Sequence, residues 1–148
     1  MAVREVLLYP DPGLKRVCAA APTGAELARV VEDLTDTMRA FPGCVGIAAP
    51  QVGHEVRVAV IDLTGHRKAP ESVHGLTVLV DPVVVSGAGS EVGREGCLSI
   101  PNLTANVRRQ IDVKVTTRDG SFEFEGFEAR LPQHELDHLD GLLSLDPP

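Results

Sequence analysis

Tryptophan is absent, and aromatic residues make up only 3% of the chain. Stacking on nucleobases or sugars relies on such rings, so ligands of that kind are not expected. Positive charge is also short: 14 Lys and Arg stand against 21 Asp and Glu, a net charge of -7. Binding to a phosphate backbone depends on clustered Lys and Arg, so no direct nucleic-acid partner is expected. Arg108-Arg109 is the one pair that could form a local basic patch. No apolar run approaches the roughly 20 residues that span a bilayer, which argues against a membrane partner. The N-terminal MAVREVLLYPDP carries Arg4 and Glu5 and soon meets prolines, unlike a secretory signal. Cysteine is scarce too. Three of them, without paired spacing, do not suggest a disulfide scaffold. A reducing, cytoplasmic setting is the expectation.

What is present reads as one ordinary globular domain over residues 1–148, with 43% hydrophobic and 24% charged residues. Pro10-Asp11-Pro12-Gly13 reads as a turn. Thr23 and Glu26 have the spacing of a capping box, and Leu27, Val30, Val31, Leu34, Met38 and Phe41 then repeat at helical spacing up to Pro42-Gly43. Val56, Val58 and Val60 alternate as a strand. Further strands are expected at Leu76–Val80, Val83–Val85, Ile111–Val115 and, after the Arg118-Asp119-Gly120 turn, Phe122–Phe124. A helix from about Glu128 to Leu143 closes the chain. The class is α+β, with mostly antiparallel strands packed around a C-terminal helix.

That helix holds His134-Glu135-Leu136-Asp137-His138. Residues four apart share a helix face, so His134 and His138 can bind one metal ion while Glu135 reaches its water as a general base. The plainer reading is a solvated polar stripe. A hydrolytic site usually needs a third protein ligand and an open position. No further histidine follows at the extended-motif spacing, and His54, His66 and His74 fall in turn-like stretches that suggest surface residues. Cys97, in Arg94-Glu95-Gly96-Cys97-Leu98-Ser99-Ile100-Pro101, is the better candidate. A lone cysteine is more often a small buried hydrophobe, the reading adopted for Cys18 and Cys44.

Three stretches taken together resemble the peptide deformylase family: Cys44-Val45-Gly46-Ile47-Ala48-Ala49-Pro50-Gln51, Glu95-Gly96-Cys97-Leu98-Ser99, and Gln133-His134-Glu135-Leu136-Asp137-His138. The likeness runs from about Val6 to Leu145. It implies a peptide deformylase-like fold and one divalent metal per chain held by Cys97, His134 and His138. Fe2+ is the typical ion, with Zn2+, Ni2+ or Co2+ able to replace it. It implies hydrolysis of the N-formyl group from formyl-methionine on new polypeptides. Glu135 moves the proton, and Gln51 with the backbone N–H of Leu98 stabilises the developing oxyanion.

The resemblance also assigns Val45 and Gly46 to pairing with the substrate backbone and Leu131 to a wall of the methionine pocket. Glu95 and Gly96 belong to the site loop, with Glu95 expected in an ion pair. Arg109 matches an arginine near the peptide path, although a solvated strand-end charge is an equal alternative. Asp137 reads as a supporting or surface carboxylate.

Cys44 stands where the family usually has glycine, a departure that mitochondrial-type members share. Pro132 replaces a bulky apolar residue and should start or kink the helix. A shift of about 1 Å in His134 would cost on the order of 10²-fold in rate. The chain stops at Leu145-Asp146-Pro147-Pro148, without the C-terminal helix that many bacterial members use on the ribosome, so weak or no stable ribosome docking is expected. The rival readings are a related hydrolase of another formylated or small amide substrate, a non-catalytic metal-binding relative, and an HExxH peptidase.

Overall fold

The structure, a computed structural model, describes residues 2–69 and 73–146. Met1 and Pro147-Pro148, which belong to the terminal stretches and domain limits read above, lie outside the described residues.

Helix α1 (Gly24–Ala40) forms where the apolar spacing placed it. Thr23 occupies the N-cap position, but its hydroxyl makes no capping bond, so the expected capping box is not formed. The helix is held instead by burial of Val30, Leu34 and Met38. Each such side chain contributes roughly 1.5–3 kcal/mol when fully removed from water.

Those residues pack on an antiparallel sheet of β1 (Gly46–Ala48), β2 (Val58–Ile61) and β3 (Thr77–Val80), in that order. All four residues of β2 are buried. Val58 and Val60 face α1, while Ala59 and Ile61 join a second apolar cluster. The alternation noted at Val56, Val58 and Val60 therefore described only one of two covered faces. Side chains alternate across a strand, and here both sides meet core.

The second cluster joins this sheet to α2 (Phe127–Leu139) through Ala129, Leu131 and Leu139. It also takes Val113, Val115 and Phe124 from a sheet ordered β4 (Val83–Ala88), β7 (Asp112–Thr117), β8 (Gly120–Glu125). Helix α2 ends four residues earlier than expected, at Leu139 rather than Leu143. Pro132 does not start it. Five helical residues precede the proline, which removes one N–H from the ladder toward Glu128.

The remaining pair, β5 (Glu91–Cys97) and β6 (Ile100–Arg109), forms a hairpin that sequence patterning did not reveal. Its strands carry charges and glycines rather than alternating apolar residues. Pro101 is the second residue of β6.

Candidate metal centre and active site

Helix α2 and the end of β5 bring the predicted ligands together. One donor atom each from Cys97, His134 and His138 lies within 4.8 Å of the others. Cys97 Sγ is 3.3 Å from His138 Nε2, and the two imidazoles meet edge to face with centroids 4.9 Å apart. His134 turns Nδ1 toward Glu95 Oε1 at 2.9 Å, leaving Nε2 for coordination.

The residues fit a divalent transition-metal ion. A thiolate and two imidazoles are a suitable donor set. Glu135 Oε1 is buried without a hydrogen-bond partner, and Glu135 lines the same cleft as Cys97 and His134. The charges agree. Burial opposes a proton on His134, yet the Cys97 sulfur and the Glu95 carboxylate hold its pKa up to about 10. Burial and the neighbouring His134 push His138 down to about 3. Burial raises Glu135 to about 7, so its proton affinity suits work near neutrality. Glu95 is also penalised by burial, but His134 and Arg109 bring it down to about 2, and it stays ionised.

The cleft beside these groups measures about 310 Å³. Val45, Gly46, Glu95, Gly96, Leu98 and Leu131 all line it. Gln51 is buried on the 3₁₀ turn Ala49–Val52. Its Oε1 accepts the Ala48 N–H at 2.9 Å, which orients the amide. Nε2 then donates to Ser99 Oγ at 3.0 Å and points at Cys97 Sγ from 3.5 Å.

Burial of Arg109 sets aside its reading as a solvated strand-end charge. It is neither solvated nor part of the cleft lining. Its guanidinium is buried, forks onto Glu95 at 2.9 and 3.1 Å, and bonds Asp137. Asp137 therefore anchors Arg109 rather than standing free on the helix surface. Cys18 is core, its thiol pushed up to about 11 by burial. Cys44 is not. It lines the cleft half-buried, with Sγ donating to the Gly46 carbonyl at 3.3 Å.

His54 and His66 are likewise less exposed than expected. His54 contacts the buried Asp33 carboxylate at 3.4 Å, and His66 stacks on Phe127 at the cleft. Exposed His74 pairs with Glu128 at 2.8 Å. Two residues given no role from sequence matter here: Ser99, which holds Gln51, and Arg130, which bonds Glu95. Arg130 carried a readable signal, because it stands four residues before His134 on the same helix face.

A family model described as polypeptide deformylase matches residues 3–147. Peptide deformylase 2 of Vibrio cholerae is 42% identical, covering 99% of this chain and 86% of the relative. The peptide deformylase of Alkalilimnicola ehrlichii is 40% identical, covering 99% and 82%. Among solved structures, the Met-Ala-Ser-bound class I type b peptide deformylase of Acinetobacter baumannii superposes with TM-score 0.86 at 31% identity, covering 99% of this chain and all of that one (100%). The peptide deformylase of Thermotoga maritima gives 0.85 at 30%, with 99% and 100% covered.

Proposed function

The chain belongs to the polypeptide deformylase family, and from that premise we propose how its own residues remove the N-terminal formyl group. The enzyme is a metal-dependent hydrolase acting on formylated nascent peptides. We take residues 1–148 as one catalytic domain and formyl-methionine as the end it processes. Cys97, His134 and His138 are the ligands, and Fe2+ is the ion, with Zn2+, Ni2+ or Co2+ as functional substitutes. Bound there, the ion supplies Lewis-acid polarisation and lowers the pKa of water.

The chain's residues do the rest. Glu135 accepts a proton from the attacking water and later delivers it to the leaving amine, as the C–N bond breaks and formate departs. The Gln51 amide and the Leu98 backbone N–H donate to the formyl oxygen as negative charge grows on it. Orientation of Gln51 by Ala48 and Ser99 supports that role. Strand β1 pairs only with β2 among the described residues, so its other edge can receive an extended peptide at Val45 and Gly46. Leu131 forms an apolar wall of the methionine pocket, and Glu95 and Gly96 close the facing side. Arg109, committed to Glu95 and Asp137, is assigned no peptide contact.

One observation carries this reading: three metal donors within 4.8 Å, beside a buried carboxylate oxygen without a partner. Formate release from formyl-Met peptides, by protein purified without oxygen and with its metal quantified, tests it. Turnover of other small formylated amides alone favours the related-hydrolase reading. Bound metal without any turnover favours a non-catalytic relative, and internal peptide cleavage favours a peptidase. We place the enzyme in the cytoplasm. No helix of the described residues is long and apolar enough to cross a membrane. A net charge of -7 supports weak ribosome association and no direct nucleic-acid binding.

A further inference from the structure

We propose that Arg130 is a positioning residue that sets where Cys97 stands relative to His134 and His138. This rests on the metal-centre reading above. Two of the three ligands sit on α2 and the third on β5, so their spacing depends on how the hairpin docks on the helix. The hairpin pairs with neither of the other sheets among the described residues. At its turn it is held by the Tyr9 N–H to the Ser99 carbonyl at 2.8 Å and by the Gln51–Ser99 bond. Just past β6, Gln133 of α2 bonds the N–H and the carbonyl of Gln110, both at 2.9 Å. Within the strands, among the described residues, the backbone is gripped from α2 by Arg130.

Arg130 Nε donates to Glu95 Oε2 at 3.0 Å. Nη1 reaches the Glu91 carbonyl at 3.2 Å, and Nη2 reaches the carbonyls of Gly93 at 3.4 Å and Val107 at 2.5 Å. One buried guanidinium therefore engages both strands of the hairpin. The fit is close, because a β-carbon on Gly93 would stand 2.9 Å from Arg130 Cζ. Arg130, His134 and His138 form one row on α2, a turn apart. Glu95, two residues before Cys97, receives both Arg130 and the His134 ring. The same carboxylate thus joins the latch, a ligand and the cysteine strand.

Only a planar fork of five donors can satisfy this set, so lysine would keep the charge and lose the geometry. Arg109 cannot substitute, since its bonds run to the Glu95 and Asp137 side chains and leave the three carbonyls unserved. Loss of an outer partner that orients ligands typically costs 10–100-fold in metal affinity.

The test measures nickel affinity by chelator competition for Arg130→Lys and Gly93→Ala, with Arg108→Ala as control. Arg108 sits on the same hairpin and, among the described residues, its side chain bonds the exposed Ser90 hydroxyl. Unfolding midpoints are taken with and without nickel. Both latch variants should bind nickel roughly 10–100-fold more weakly, and the nickel-induced rise in midpoint should shrink, while the control matches the parent. Gly93→Ala decides the matter if Arg130→Lys does not fold. If metal-free and loaded midpoints fall equally and nickel affinity is unchanged, Arg130 is only a structural brace and the proposal is overturned. A parent protein that takes up no nickel would instead overturn the metal-centre reading, and this proposal with it.

Discussion

A β-carbon placed on residue 46 would stand 2.6 Å from Oε2 of Glu135. Strand β1 and helix α2 approach this closely because position 46 is glycine, and the contact falls on the proposed proton carrier. Gly46→Ala must displace that carboxylate. A misplacement near 1 Å costs on the order of 10²-fold in rate, so formate release should fall by about that factor while bound metal stays at parent level. Parent-like turnover would mean that the Glu135 position is not critical.

Glu135→Gln removes the proposed proton acceptor with little change in volume. Its side chain is not among the three candidate metal donors, so metal content should hold. Turnover should fall by roughly 10²–10⁴-fold, the usual contribution of a positioned acid–base group. Parallel loss of metal and activity would contradict this division of roles.

A thiolate on ferrous iron offers two routes to oxidative loss: oxidation of the ion, and oxidation of Cys97 to sulfenic and sulfinic acid. Iron-loaded enzyme should therefore lose formate release in peroxide sooner than nickel- or cobalt-loaded enzyme. Cys18, buried in the core, should stay unmodified by mass spectrometry. Equal decay of the iron and nickel forms with Cys97 intact would refute the ligand assignment.

Asp33 is buried on α1 and bonds Arg4 Nε at 2.9 Å and His54 Nε2 at 3.4 Å. Burial alone would raise its pKa, but Arg4 and His54 outweigh it and hold the carboxyl below its usual range. Its ion pairs thus stabilise the fold fully above the unfolded carboxyl pKa of about 3.9, and that stability is lost as pH falls through the depressed value. Asp33→Asn should be less stable than the parent at neutral pH, and the difference should shrink in acid below about pH 4. Unfolding midpoints across pH check this; a constant difference would show that Asp33 acts through packing rather than charge.

Much of the site was legible along the chain. The four-residue spacing of His134 and His138 puts both on one face of any helix they form, and the family resemblance of the motifs around Gln51 and Cys97 implied the rest of the set. Helix α1 was equally plain from its apolar spacing. What sequence alone left open depends on which surfaces meet. The β5–β6 hairpin lacked apolar alternation because its side chains are largely exposed or polar. Arg109 read as a solvated charge or a peptide contact because Glu95 and Asp137 are 14 and 28 residues away. The helix face of Arg130 was readable, but its contacts were not, because the carbonyls it grips belong to a different element. Periodicity records which face of an element is apolar, so the sequence by itself determined that α1 and α2 form and that His134 and His138 share one face. Only the tertiary structure decided which buried charges would find each other, because those pairings depend on how the hairpin docks on α2.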